Sequence, residues 1–205
     1  MKVLCVGKNY AKHARELGGE TPSSPIWFWK PESSIIGDGD AVVLPQGIGD
    51  VHHEVELAVR IGSRIRRAGA QEALRCVDAM TVAVDVTARD LQAEAKRLGR
   101  PWTQAKGYDT FLPLGSWLEG RGDELDLAGQ HLRLTVDGEV RQEAPTSEMT
   151  WDVAALLATA STWTTLEPGD VLLTGTPAGV GPLAAGQTMV AELVGHARLT
   201  NPVEA

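Results

Sequence analysis

The stretch His52-His53-Glu54-Val55-Glu56-Leu57-Ala58-Val59-Arg60-Ile61 decides how the rest of the chain is read. Val55, Leu57, Val59 and Ile61 recur at every second position, the period of a half-buried strand. Residues two apart on a strand share a face, so Glu54 and Glu56 project together, away from the apolar set. Adjacent carboxylates repel each other unless something positive lies between them. An isolated Glu-x-Glu usually marks an exposed polar face. Asp85 points to a second reading, because it ends the apolar run Met80 to Val84, where a strand is expected to be buried. It can cap the helix that follows, or it can join the glutamates. Three acids on two strand ends suit a hard cation, Mg2+ or Mn2+, which takes oxygen ligands and keeps positions open for water or substrate. The sequence does not by itself make the two strands neighbours. His52 and His53 face opposite ways, so both cannot enter one site. His52 shares the phase of the glutamates, and a mixed histidine and carboxylate site ranks second.

Working outward, Val3 to Val6 reads as a strand and Tyr10 to Leu17 as a helix stopped by Gly18-Gly19. Ile26 to Trp29 and Ala41 to Leu44 read as strands around the turn-rich Gly37 to Asp40. Gln71 to Val77 predicts a helix, Met80 to Asp85 a strand, and Thr87 to Leu98 a helix with Thr87 and Asp90 as caps and Gly99 as its end. Asp137-Gly138 between His131–Val136 and Glu139–Glu143 is a strong two-residue hairpin signal. Thr150 is placed to cap a helix running through Trp163. Pro168-Gly169-Asp170 then turns the chain into Val171 to Thr174, Gly175 to Gly181 is a loop, and Met189 to Val194 is the closing strand. Strands outnumber helices and hairpin signals outnumber βαβ signals, so the fold class expected is α+β, mostly β.

The chain has 205 residues, enough for one domain, residues 1–205, with a core that needs no staples. A net charge of −8 and no basic stripe argue against a nucleic-acid partner or an anionic membrane. No apolar run approaches the length of a signal core or a membrane span, which points to the cytoplasm. Cys5 and Cys76 lack any CxxC neighbour and read as small buried hydrophobes.

Five segments, the opening stretch among them, follow a recognisable order. Gly7-Lys8-Asn9-Tyr10 leads through His13 and Glu16 to His52-His53-Glu54-Val55-Glu56-Leu57. Asp85-Val86-Thr87-Ala88-Arg89-Asp90-Leu91-Gln92, Ala105-Lys106-Gly107-Tyr108-Asp109-Thr110-Phe111 and Thr174-Gly175-Thr176-Pro177-Ala178-Gly179-Val180-Gly181 come next. The pattern resembles the fumarylacetoacetate hydrolase family, in its small single-domain bacterial members. Each piece is weak alone, whereas five in order are specific, and they span nearly the whole chain. The resemblance implies a β-roll with a few short peripheral helices, a homodimer, and Mg2+ or Mn2+ held by Glu54, Glu56 and Asp85. It also implies that His13, Glu16, Lys106, Gln92 and Thr176 surround the substrate. Many relatives carry an N-terminal extension ahead of the Gly7 motif, so its contribution to closing the pocket must come from elsewhere here or be absent.

The residues agree with those roles. His13 and Glu16 lie three apart on the predicted helix, where the carboxylate can fix the imidazole tautomer and make it a base. Lys106 offsets negative charge beside a cation. Arg89 and Gln92 share a helical face just after Asp85, and Arg89 can also pair with Asp85 or Glu56. Lys30, after Trp27-Phe28-Trp29, reads as a snorkelling surface lysine ahead of a place at the pocket entrance. Gly175 to Gly181 can cradle a carboxylate with backbone N–H groups, and it lacks the Lys-Ser/Thr ending of a nucleotide loop. The expected substrate is a small 2-oxo acid activated at its carbonyl, with enolate chemistry at C3. Hydrolysis of an acylpyruvate C–C bond by His13-Glu16-activated water comes first. Decarboxylation or keto–enol tautomerisation of oxaloacetate, and isomerisation of 2-hydroxymuconate-type dienes, share the same intermediate. A non-catalytic metal-binding module is a distant alternative, opposed by the His13-Glu16 pair.

Overall fold

The computed structural model describes all 205 residues. Strand Val55–Ile61 pairs antiparallel with Val77–Val84, placing Val55 opposite Val84 and Glu56 opposite Ala83. These two strands sit inside a six-stranded sheet. Leu118–Glu119 lies outside Val77–Val84, and Val171–Leu173, Val3–Gly7 and Ile26–Lys30 follow on the other side. A five-stranded sheet runs Glu139–Pro145, His131–Val136, Thr188–Leu193, Ala197–Glu204 and Val42–Val43. Two small sheets, one built on Val51–His53 and one pairing Ile35–Ile36 with Leu112–Pro113, complete a mostly β molecule with five short helices.

Alternation sorts the main sheet between two apolar clusters. Leu4, Val6, Val55, Leu57, Val59 and Ile61 join the large core together with Leu132, Leu134, Met189 and Leu193 of the second sheet. The intervening Val3, Cys5, Ala58 and Ala83 pack on the opposite face with Leu112, Val171 and Leu173. Val55–Ile61 is therefore buried on both faces rather than on one, and only Arg60 is half-buried. The acids face the smaller cluster's side, where Ala58 and Ala83 occupy little volume.

Several elements differ from the sequence reading. His52 to Ile61 is not one strand: the chain breaks at Glu54, and Val51–His53 pairs instead with Thr87–Ala88 and Gly181–Pro182. Thr87 and Asp90 do not cap the next helix, which starts at Arg89 behind Ala88 without a side-chain cap. The Thr87 hydroxyl donates to the Asp85 carbonyl, and Asp90 accepts from the Asp50 amide. Helix Val153–Trp163 is capped by Asp152, which accepts from the Ala155 amide at 2.7 Å, so Thr150 lies two residues too early. The strand expected over Met189 to Val194 is present as Thr188–Leu193, but a further strand, Ala197–Glu204, closes the chain. The hairpin turn stands as read, with φ of 51° at Asp137 and 82° at Gly138, as a two-residue turn of the right twist requires. No helix is long and apolar enough to cross a membrane.

Asp170 ties the N-terminal strand to the sheet. Its carboxylate accepts from the Lys2 and Glu167 amides, both at 2.8 Å, and pairs with the Lys2 ammonium at 2.6 Å. Burial raises its pKa, but these donors outweigh it and hold the carboxyl below its ordinary range. Asp170→Asn should cost about 1–3 kcal/mol of unfolding free energy at pH 7. A depressed carboxyl contributes above its unfolded pKa, so the deficit should vanish as pH falls through the native value. Denaturant titrations of both proteins across pH check this.

Candidate functional site

The last rung between the two central strands builds the site. The Asp85 amide donates to the Glu54 carbonyl at 2.8 Å, which sets Asp85 beside Glu54 where both strands end. One carboxylate oxygen from each of Glu54, Glu56 and Asp85 then lies within 4.8 Å of the other two. Exposure is 5% at Glu54, 1% at Glu56 and zero at Asp85, so water does little to screen the repulsion. Asp85 is thus a partner of the glutamates and not a helix cap.

Three cations offset the three acids. The Lys106 ammonium, itself buried, lies 2.9 Å from Glu54, 2.5 Å from Asp85 and 2.6 Å from the Thr87 hydroxyl, and sits 4.9 Å over the Phe28 ring. Lys30 donates to Asp85 at 2.7 Å and to the Lys106 and Val86 carbonyls at 2.6 and 3.0 Å. The surface reading of Lys30 is overturned, since a fully buried ammonium with three acceptors is an internal strut. Arg89 pairs with Glu54 at 2.5 Å, rather than with Asp85 or Glu56.

The balance is uneven. Burial drives the Glu54 carboxyl upward, but Lys106, Arg89 and His13 outweigh it and hold it well below the carboxylate range. Glu56 goes the other way: burial, then the charges of Asp85 and Glu54, push it well up, and Lys106 with the Gly175 amide only partly compensate. Of the three, Glu56 is the acid whose charge most needs another cation. Burial also raises the Cys5 thiol, which stays an inert packing group.

The Gly175 amide donates to Glu56 at 2.6 Å, and the Gly179 amide donates to Glu16 at 3.0 Å. The glycine loop therefore cradles the protein's own carboxylates. Gly175 has φ of 93°, and a Cβ there would lie 2.7 Å from that of Asn9, so only glycine fits. Asn9, which sequence reasoning passed over, binds the Thr174 carbonyl at 2.8 Å and both the amide and carbonyl of Trp151. The other oxygen of Glu16 faces His13, whose Nδ1 lies 3.1 Å away. His52 stands outside the acid trio, which disfavours the mixed histidine site.

His13, Lys106, Arg89, Gln92, Thr176 and the three acids all line one cavity. Sequence reasoning missed Lys8, Lys96, Phe28 and Trp102 in the same wall. Burial first, then the Arg89 charge, lowers Lys96 to about 8. The Gln92 carbonyl oxygen accepts from Arg89 and Lys96, which leaves its NH2 to donate elsewhere. The wall is thus rich in donors and cations around an acidic floor.

Such a floor and wall define a carboxylate centre that could hold a hard divalent cation and bind a small organic anion beside it. The chain belongs to the fumarylacetoacetate hydrolase family: residues 2–204 match its fumarylacetoacetate (FAA) hydrolase C-terminal domain. It is 44% identical over 203 residues to a mitochondrial oxaloacetate tautomerase of Arabidopsis thaliana, covering 99% of this chain and 91% of the relative. It is 43% identical over 195 residues to a mitochondrial oxaloacetate decarboxylase of Dictyostelium discoideum, covering 95% and 89%. The crystal structure of fumarylpyruvate hydrolase from Pseudomonas aeruginosa, in complex with Mn2+ and pyruvate, superposes with a TM-score of 0.93 at 32% identity, covering 100% and 89%.

Lys30→Met should destabilise the fold by about 3–5 kcal/mol, because it leaves Asp85 buried with one cation fewer. Added Mn2+ should restore part of that loss by binding the same acids. Chemical denaturation with and without Mn2+ measures both effects.

Proposed function

We propose that this protein is a divalent-metal-dependent enzyme of small 2-oxo dicarboxylates, with keto–enol chemistry at C3 of oxaloacetate as its leading reaction. Glu54, Glu56 and Asp85 hold Mg2+ or Mn2+, which when bound supplies Lewis-acid polarisation of the 2-oxo group. The observation that carries the reading is the charge of the wall. Lys106, Lys30 and Arg89 already balance the three acids, so a divalent cation leaves the pocket two charges positive, and Lys8 and Lys96 add to that. A dianion fits this excess better than a monoanion with a neutral acyl tail. The tautomerase and decarboxylase names of the relatives support the same choice.

The chain's own groups have separable tasks. Arg89, Gln92 and Thr176 bind and orient the substrate carboxylate. The Lys106 ammonium stabilises negative charge as it develops on the 2-oxo oxygen. Glu16 accepts from Nδ1 of His13, fixing the tautomer that leaves Nε2 basic, so His13 can carry the proton that moves between C3 and the 2-oxo oxygen in keto–enol interconversion. The half-buried Phe28 and Trp102 rings shield the reacting carbons from bulk water.

Hydrolysis of an acylpyruvate, which the sequence alone placed first, is the second reading. It is favoured by the His13-Glu16 pair, which suits activation of water, and by the name of the hydrolase neighbour. A single catalytic domain over the whole chain, a homodimer and a cytoplasmic setting belong to the same proposal.

The test is a panel of oxaloacetate, acylpyruvates and 2-hydroxymuconate-type dienes with Mg2+ or Mn2+, each product followed directly. Enol–keto interconversion of oxaloacetate should be the fastest reaction. A higher kcat/KM for an acylpyruvate would reverse the order, and inactivity after metal loading would sink the enzyme reading. His13→Ala should lower turnover about 10²- to 10⁴-fold with the Mn2+ Kd unchanged.

A further inference from the structure

Gln142 lies in strand Glu139–Pro145, on the sheet remote from the acids, yet its side chain reaches the site from behind. The register of its hairpin slips between Leu134, which faces Gln142, and Thr135, which faces Val140. Arg141 is the extra residue. Such a bulge re-aims the side chain that follows it, and Gln142 is accordingly 1% exposed while Glu139, Val140 and Arg141 all face solvent. The glycine loop presses on this bulge: a Cβ at Gly179, whose φ is 99°, would lie 2.1 Å from the Arg141 carbonyl oxygen.

All four hydrogen-bonding positions of the Gln142 carboxamide are used. Its Oε1 accepts from the Val55 amide at 3.0 Å and from His53 Nδ1 at 3.0 Å. Its Nε2 donates to the Thr176 hydroxyl at 2.8 Å and to the Pro177 carbonyl at 2.9 Å. The amide cannot be turned round, because the Val55 N–H can only donate and the Pro177 carbonyl can only accept. Val55 is the residue between two of the metal-site acids, and Thr176 lines the cavity. One side chain thus joins the acid-bearing strand to the loop that faces the substrate.

The direction of the Thr176 bond has a chemical consequence. Because Thr176 Oγ1 accepts from Gln142, the hydroxyl's own hydrogen is left to point elsewhere. We propose that Gln142 is a positioning residue which, by donating to Thr176 and accepting from Val55, holds the Thr176 hydroxyl as a hydrogen donor to the substrate carboxylate at a fixed distance from Glu54 and Glu56. This rests on the reading of the cavity as a 2-oxo acid site. It does not depend on which reaction follows.

The experiment uses the full chain loaded with Mn2+ and pyruvate as the probe, with the Mn2+ Kd measured separately by calorimetry. Gln142→Glu keeps the acceptor for Val55 but removes the donor to Thr176, so the hydroxyl turns its hydrogen toward the new carboxylate. Pyruvate affinity should fall about tenfold with the Mn2+ Kd within about twofold, as expected for one lost hydrogen bond to a charged group. Thr176→Val should do the same, and the double variant should be no more than about twofold weaker than either single one, since both remove one donor. Thr176→Ser should bind pyruvate like the parent. Pyruvate affinity unchanged in Gln142→Glu, multiplying losses in the double variant, or a parallel fall in Mn2+ affinity would each overturn the proposal. If Gln142→Glu does not fold, Gln142→Asn, too short to span Val55 and Thr176, is to show the same selective loss. Failure of both to fold would make Gln142 a stability residue and overturn it as well. Pyruvate binding that behaves as expected in a protein that turns over no 2-oxo dicarboxylate would uphold the positioning role and refute the proposed reaction. Absence of pyruvate binding by the Mn2+-loaded parent would refute both.

Discussion

Three carboxylates confined within 4.8 Å and hidden from water are the constraint around which this molecule is arranged. Repulsion of that kind is not tolerated unless compensating charge is held equally close. Lys106 and Lys30 are buried for this reason, and each ammonium is given three oxygen partners. Their carrier segments are fixed in turn. Lys30 ends the edge strand beside Val3–Gly7, and Lys106 ends the short helix Thr103–Lys106, whose final carbonyl accepts from Lys30. The charge balance therefore ties together segments far apart in sequence.

The same constraint explains the distribution of strain. Gly175 occupies a left-handed conformation that places its amide on Glu56, the acid that no lysine or arginine contacts directly. Gly179 does likewise for Glu16, so the loop supplies rigid donors where a side chain would intrude. Rigidity of this sort favours selectivity, because a preorganised wall of donors need not rearrange as charge develops on a bound anion.

Much of the fold was legible because its signals are local. The Asp137-Gly138 turn, the alternation in Val55–Ile61 and the stop at Gly99 depend on backbone preferences that neighbouring residues alone express. The misplaced caps at Thr87, Asp90 and Thr150 have the opposite origin. Each is a polar residue near a helix start, and a tertiary partner, or a better placed neighbour in Asp152, took the role. The final strand Ala197–Glu204 was overlooked because its polar alternation carries little apolar signal, and pairing with Thr188–Leu193 is what makes it a strand.

By itself the sequence determined that Glu54 and Glu56 share a face, that Asp85 ends a buried strand and that His13 and Glu16 can meet, since strand and helix periods are local geometry. Only the tertiary structure decided that Asp85 lies beside the glutamates, because that follows from one interstrand hydrogen bond between residues 31 positions apart. It also decided the fate of the cations. Nothing in the sequence around Lys30 distinguishes an internal strut from a solvated side chain, and the difference arises from which acids the sheet carries past it. Burial of charge is a property of the assembled environment, whereas direction along a strand is a property of the chain.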